Sequence, residues 1–171
     1  GTPSDFTDAT TLSDDTVQAG TMGFSGHVDS LKLVSLKNVN GTLADLTDDR
    51  TYLGLDIGGL NAGLVGLEDF LEFNAWDVDV LVNQAAHADG VTVVAPLDWA
   101  GFTVTDGLAL PVFNAELTDS VALAVSGAAA LNVLDGLVVL TVGEFTLTLG
   151  EVSGNDVGAG GTTTLTDAQA L

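Results

Sequence analysis

The sequence predicts an all-β fold, an immunoglobulin-like β-sandwich preceded by a polar N-terminal arm, and three features of the chain predict it. Its 171 residues include 21 glycines and only 3 prolines, with 46% hydrophobic residues. This balance disfavours both intrinsic disorder and a long-helix protein. Short apolar segments that alternate with polar residues recur along the chain. Pairs that favour turns, such as Asn-Gly, Gly-Gly and Asp-Gly, separate these segments at strand-like intervals.

The region 119–151 is the most apolar part of the chain and carries the strongest β signal. The predicted strands are 121–125, 130–134, 137–142 and 144–149, and the predicted turns are Ser126-Gly127 and Asp135-Gly136. An alternative interpretation makes 121–142 a membrane helix, because about 20 apolar residues span a bilayer. The polar residues Ser126, Asn132 and Asp135, together with two glycines, interrupt that stretch and favour the strands.

The rest of the chain also predicts strands and turns. Residues 24–39 are predicted as one long strand that ends at the hairpin signal Asn40-Gly41. On this strand, Lys32 and Lys37 would protect a sheet edge or pair with acids elsewhere. The remaining predicted strands are 52–57, 70–83, 91–95, 102–105, 108–115 and 162–166, with turns at Gly58-Gly59, 96–101 and 153–156 and loops at 43–50 and 85–90. The glycine-rich residues 60–71 are compatible with short strands or with a single helical turn.

The charge of the chain excludes several functions. The 24 acidic residues outnumber the three basic ones, and the formal net charge is −21. Phosphate backbones would be repelled, so nucleic-acid binding is excluded, and anionic membranes are poor partners. The charge either keeps an apolar β protein in solution or provides aspartates for divalent cations. Since the chain has no cysteine, it can form neither a disulfide nor a thiolate metal site.

Calcium is the cofactor that the aspartate-rich segments allow, because Ca²⁺ prefers oxygen ligands. The sequence contains no EF-hand loop and no G-G-x-G-x-D repeat. The candidate ligands are Asp48, Asp49, Asp77, Asp79 and Asp156. The sequence alone does not indicate that these carboxylates converge.

Histidines and carboxylates occur at spacings compatible with catalysis, but none belongs to a recognisable motif. The pairs His27-Asp29 and His87-Asp89 share a face if they lie on strands, where they would bind a metal, orient a base or be ordinary surface residues. The acids that could act as a glycosidase pair are Glu68, Asp69 and Glu72. With 24 acids some such pair is inevitable, so we assign no catalytic residue and expect that the chain is not an enzyme.

The segment 1–23 is predicted to be an arm outside the β-sandwich domain 24–171. It is rich in Asp, Ser and Thr, and its largest apolar residues are Phe6, Leu12, Val17 and Met22. Such a segment is stable as a strand only when it joins an existing sheet. That sheet would belong to the same chain or to a neighbouring copy.

The arm resembles the start of camelysin-like biofilm-matrix fibre subunits. The residues that carry the resemblance are Phe6-Thr7-Asp8-Ala9-Thr10 and Asp15-Thr16-Val17-Gln18-Ala19-Gly20-Thr21-Met22, which follow the pattern F-[ST]-D-x-[TE], a short gap, then N-T-F-x-A-G-T-L. Asp15 and Val17 stand where that family often has Asn and Phe. The resemblance implies that this segment is donated as a strand to the next subunit. We expect Phe6, Leu12, Val17, Ala19 and Met22 to be the assembly residues of the donated segment; four of them lie in the matching pattern, and Leu12, a large apolar residue of the arm, lies in the gap.

The body of the chain resembles a second family, the long, acidic, Gly-rich repeat proteins of aquatic bacterial surfaces. The matching segments are 77–85, 96–99 and 125–131. This resemblance implies an extracellular location on a bacterial surface.

We therefore expect a structural subunit of an extracellular, pilus-like fibril that polymerises with other copies of itself through its N-terminal segment. The alternative is a monomeric adhesion or carbohydrate-binding module of a giant surface protein, with its arm folded back on its own sheet. Trp76 and Trp99 would then face the ligand, although core positions are more ordinary for tryptophans. In the fibre model the arm is required for polymers, whereas in the module model the chain is monomeric with or without it.

Overall fold

The computed structural model describes residues 21–41, 43–67, 70–134, 136–156 and 163–170. Within these residues the protein is all-β and contains no helix, which confirms the predicted class. The strands are β1 (Gly23–His27), β2 (Ser30–Asn38), β3 (Arg50–Val65), β4 (Leu71–His87), β5 (Val121–Val133), β6 (Val138–Asp156) and β7 (Thr163–Ala170). No helix in the described segments has the length and apolarity needed to cross a bilayer.

The strands form one antiparallel sheet in the order β1-β3-β4-β5-β6-β7, and β2 pairs with β3. Strand β1 pairs with residues 61–65 of β3 and β2 with residues 50–58, so these two short strands lie end to end along one edge of β3. From β3 onward each strand pairs with the next one in the chain. The described residues therefore form an open sheet, and the two-sheet immunoglobulin-like topology is not seen among them.

Several predicted turns are β-bulges or continuous strand. Strand β3 continues through Gly58-Gly59, β5 through Ser126-Gly127 and β6 through 153–156. The pairing register shifts between Ile57 and Leu60 and again between Gly127 and Ala129. A glycine that interrupts an apolar alternation is compatible with a bulge as well as with a turn. The predictions of turns at these three positions are wrong for that reason.

Strand boundaries differ from the predictions in other places too. The predicted strand 24–39 is divided into β1 and β2 by residues 28–29, and residues 60–65 extend β3. Asn40 and Gly41 have positive φ angles of 49° and 82° and lie in the connection from β2 to β3, as the hairpin signal predicts. The segment 121–142, for which a membrane helix was an alternative, lies in β5, the following turn and β6.

The connection between β4 and β5, residues 88–120, forms no strand and packs on one face of the sheet. The predictions of strands at 91–95, 102–105 and 108–115 are wrong. The apolar residues of this connection serve as core side chains: Trp99, Phe113 and Leu117 pack with Val34 and Leu81 of the sheet. Trp99 lies with its ring centroid 5.2 Å from that of Phe113. Apolar residues without a regular period can thus form a core from irregular chain.

The opposite face of the sheet consists of cross-strand rows of apolar residues. Directly paired residues share a face. One row is Leu31, Ile57, Val80, Val125 and Leu147, and the next is Leu33, Leu55, Val82, Leu123 and Leu149. We call these ten residues the apolar face. The connection 88–120 packs on the other side of the sheet, where Lys32, Asp56, Leu81 and Ala124 form the corresponding row.

Candidate functional site

The apolar face reaches the edge strand β2, where it is most exposed. Leu31 and Leu33 are 61% and 58% exposed, and Leu147 at the other side of the face is 42% exposed. Among the described residues β2 pairs only with β3. A sheet edge beside exposed leucines is a surface on which another β-strand can add.

The two lysines of β2 pair with buried aspartates. Lys32 Nζ lies 2.8 Å from Asp56 Oδ2, and Lys37 Nζ lies 2.6 Å from Asp49 Oδ2. Asp56 also accepts a hydrogen bond from the backbone N–H of Asn114 at 2.9 Å, which connects β3 to the connection 88–120. These lysines therefore lie on an edge strand and pair with acids, as predicted.

Of the five predicted assembly residues, Met22 is the one within the described part of the chain. Phe6, Leu12, Val17 and Ala19 lie outside the described residues. Met22 is 65% exposed and lies directly before β1. The backbone of Thr21 lies against Gly66, so closely that a Cβ on Gly66 would collide with the Thr21 carbonyl oxygen. The arm therefore enters the sheet at the β1 end of β3.

Three of the candidate calcium ligands, Asp48, Asp49 and Asp79, make local side-chain contacts in the structure. Asp48 Oδ2 accepts a hydrogen bond from Asn40 Nδ2 at 3.3 Å, and Asp79 Oδ1 accepts one from the Gly59 N–H at 2.9 Å. Asp77 has a positive φ of 49° at a bulge of β4. Asp49 pairs with Lys37, and Asp156 is the last residue of β6. In the described ranges no group of three or more His, Cys, Asp or Glu residues is placed to hold a metal ion.

The histidine pairs and glycosidase candidates are placed as follows. His27 Nε2 lies 3.2 Å from Asp29 Oδ1 on an exposed edge, and His87 Nδ1 lies 3.1 Å from Asp89 Oδ1. The Asp89 carboxylate accepts hydrogen bonds from Thr92 Oγ1 and from the Thr92 and Val91 N–H groups, which lower the pKa of Asp89 well below its ordinary value. This geometry stabilises a turn after β4.

Glu72 accepts a hydrogen bond from Asn132 at 3.4 Å, whereas Glu68 and Asp69 lie outside the described residues.

The two tryptophans occupy opposite environments. Trp99 is 3% exposed in the core, so the hypothesis that it faces a ligand is wrong. Trp76 is 43% exposed on the sheet. The alternation of β4 predicts that Trp76 shares a face with Val80 and Val82. Trp76 pairs with Ala128 and Asp79 with Ser126, so β4 has one additional residue, a β-bulge, between these two pairs. The additional residue reverses the alternation. Trp76 therefore lies on the side of the sheet opposite the apolar face.

Asn83 is a central residue that sequence reasoning missed. It is 1% exposed, and its amide accepts a hydrogen bond from Trp99 Nε1 at 2.9 Å. Its Nδ2 donates to the carbonyl oxygens of Leu97 at 2.7 Å and Thr118 at 2.8 Å. The signal that could have found it is a polar residue at an inward position of an otherwise apolar strand. Asn83 connects β4 to the part of the connection 88–120 that carries the core side chains.

Comparison with known proteins identifies no relative, since no protein-family model, no curated protein and no solved structure matches the chain. The part of the chain that the structure describes belongs to the all-β class and forms one open antiparallel sheet.

Proposed function

We propose that the chain is a structural, non-enzymatic subunit of an extracellular, pilus-like fibril on a bacterial surface, and that its arm adds as a strand to the sheet of the next copy. The observation that carries the proposal is the β2 edge, where Leu31 and Leu33 are 61% and 58% exposed at the ends of two apolar rows. A donated strand would extend both rows by one side chain. It would also pair with the backbone groups of the edge, which supplies affinity without special side chains.

The point at which the arm meets the sheet is compatible with addition to another copy. The arm enters the sheet at Met22, directly before β1, and β1 and β2 lie end to end on the edge of β3. The donated segment and the accepting edge are different surfaces, so the contact is head to tail and need not close, which allows it to generate a helical polymer. The partners in this proposal are further copies of the chain. The net charge of −21 disfavours nucleic acids.

We include the predicted immunoglobulin-like β-sandwich in this proposal. A sheet with one apolar face needs a second layer to bury that face, and in the fibril the layer would come from neighbouring copies. The resemblance of the arm to camelysin-like fibre subunits supports this arrangement. Calcium, if it is bound, would act at the joints between subunits through aspartates such as Asp48 and Asp156.

The first test is electron microscopy of the full chain in calcium and then in chelator. We expect regular filaments, and filaments that dissolve in chelator would assign calcium to the joints. Dispersed single particles under both conditions would overturn the proposal. That result would favour the monomeric surface module.

Three variants locate the joint. Deletion of residues 1–22 is expected to abolish filaments, and a synthetic peptide of residues 1–22 is expected to bind the truncated chain. Leu33→Asp places a charge on the accepting edge and should abolish filaments as well, while the matched control Val93→Asp, at a position 92% exposed in the connection 88–120, should not. Filaments that survive Leu33→Asp would exclude the β2 edge as acceptor.

A further inference from the structure

Trp76 lies between two shallow grooves on the side of the sheet away from the apolar face. The first groove, about 330 Å³ in volume, crosses β1, β3 and β4 and is lined by Ser25, His27, Asn61, Gly63 and Asn74. The second, about 290 Å³, crosses β4, β5 and β6 and is lined by Glu72, Ala130, Asn132 and Val139. Trp76 and Asn74 line both grooves. The grooves therefore meet at one exposed indole.

Small neighbours keep the indole accessible. The residue paired with Trp76 on β5 is Ala128, and the residues paired with Asn74 are Gly63 and Ala130. No residue of the connection 88–120, which packs on the other half of this side, lines either groove. A flat floor beside an exposed aromatic ring is a surface on which a planar or ring-shaped ligand can stack.

The polar groups around Trp76 are held in place by the fold. A Cβ on Gly63 would lie 2.9 Å from Asn74 Oδ1, so the Asn74 amide lies directly over the glycine. Asn132 Nδ2 donates to Glu72 Oε2 at 3.4 Å while Asn132 Oδ1 accepts from the Gly136 N–H at 2.8 Å. Amides and one carboxylate thus form the rim, and they are suited to hydroxyl groups that both donate and accept.

The charges around the two grooves favour a neutral ligand over an anionic one. The groove residues include Glu72 and no lysine or arginine, and two of the three basic residues of the chain, Lys32 and Lys37, pair with Asp56 and Asp49. An anionic ligand would find no lysine or arginine in the groove linings and would be repelled by the net charge of −21. A sugar ring has an apolar face that stacks on an indole and neutral hydroxyls at its rim.

The two grooves cross five neighbouring strands, about 19 Å at the usual strand spacing, which fits an oligosaccharide better than a single sugar.

We propose that the Trp76 surface is a binding site for a neutral oligosaccharide. Trp76 stacks on a sugar ring, and Asn74, Glu72 and Asn132 bind its hydroxyl groups. The site uses the side of the sheet opposite the apolar face and does not depend on fibril formation. Its failure would therefore leave the proposed assembly unaffected, and the converse also holds.

The experiment is calorimetric titration of the full chain with cellopentaose, xylopentaose, maltopentaose and chitopentaose, with tri- to pentameric alginate as the anionic control. Trp99 is buried, so a decrease in acrylamide quenching reports directly on Trp76. At least one neutral oligosaccharide is expected to bind and to protect Trp76, whereas alginate is not. Trp76→Ala should lower the association constant about tenfold or more, since the stacked ring would be lost.

Two further variants keep the test decisive. Phe24→Ala removes an aromatic residue of β1 that is 79% exposed. Phe24 is next to Ser25 in the chain, but its side chain lies on the side of the sheet opposite the grooves, so this variant should bind the oligosaccharide with unchanged affinity. Glu72→Gln keeps the shape of the site and should weaken a neutral sugar only a few-fold, but it would abolish binding of a cation that stacks on the indole. Three results would each overturn the proposal. The first is binding of choline or hexalysine alone, and the second is sugar binding that Trp76→Ala does not change. The third is protection of Trp76 that depends only on the protein concentration.

Discussion

The indole Nε1 of Trp99 donates a hydrogen bond to Asn83 Oδ1 at 2.9 Å, and both side chains are buried. Through this bond, a residue of β4 determines where the irregular connection 88–120 lies on the sheet. The Asn83 amide also donates to the carbonyl oxygens of Leu97 and Thr118, which lie on either side of Trp99 in the chain. One side chain thus satisfies three polar groups of a connection that has no strand of its own.

Replacement of Asn83 by Leu is expected to destabilise the fold strongly. The variant keeps a branched side chain of the same length but leaves Trp99 Nε1 and the Leu97 and Thr118 carbonyls without their partner. We expect a loss of about 3 kcal/mol or more in the free energy of unfolding, because each buried polar group left unpaired costs about 1 to 3 kcal/mol. Urea unfolding followed by tryptophan fluorescence measures it. Gln84→Leu, at the exposed neighbouring position, is the control, and equal losses for the two variants would contradict this role.

Asp56 provides a second connection between the sheet and the connection 88–120. It is 4% exposed and binds both Lys32 Nζ and the Asn114 N–H through Oδ2. Asp56→Ala should cost about 2 to 4 kcal/mol, since it removes one partner of a largely buried ion pair and of a backbone donor. Asp56→Asn should cost less, because the amide oxygen can still accept from Asn114. Urea unfolding of both variants, alone and combined with Lys32→Met, measures the coupling. Additive effects of Asp56→Ala and Lys32→Met would show that the ion pair contributes nothing.

Gly54 is needed because the Trp99 ring lies directly on its backbone. A Cβ at this position would be 2.7 Å from Trp99 Cε2. Gly54→Ala should therefore displace the indole and cost about 1 to 3 kcal/mol, as overpacked cores do. The matched control is Gly143→Ala in β6, where a Cβ would meet nothing within 4 Å, and its effect should stay within about 0.5 kcal/mol. Thermal unfolding by circular dichroism compares the two, and equal shifts would contradict the contact.

The sequence predicted the class of the fold better than its arrangement. Alternation identified the existence of β4 and of the lysine-bearing strand, because a two-residue period depends only on local geometry. It did not identify their bounds, since β4 extends to His87 and the predicted strand 24–39 is divided into β1 and β2. The bulge between Trp76 and Asp79 could not be predicted from alternation, since one additional residue moves a side chain to the other side of the sheet without changing composition. The apolar residues around Trp99 and Phe113 had the composition of strands. They lie in irregular chain because tertiary packing, with Asn83 as partner of the backbone, decided their conformation.

The stability of the turn after β4 should depend on pH, and the hydroxyl group of Thr92 should control this dependence. Thr92 Oγ1 donates to Asp89 Oδ2, and this bond is the largest cause of the lowered pKa of Asp89, followed by the N–H groups of Thr92 and Val91. A carboxyl group whose pKa is lower in the folded state stabilises that state above its unfolded pKa. That contribution is lost as the pH falls through the ordinary value near 3.8 and towards the folded value.

The side-chain carboxyl carbon of Asp89, followed by ¹³C NMR during an acid titration, should therefore still report a carboxylate at pH 3.8, where an ordinary aspartate is half protonated. Thr92→Val removes the hydroxyl donor and keeps the shape, so it should raise the pKa of Asp89 towards 3.8. Thr103→Val is the control, because Thr103 Oγ1 donates to a backbone carbonyl oxygen, that of Gly101. An Asp89 that titrates at its ordinary value in the unmodified chain would show that the turn does not hold these hydrogen bonds in solution.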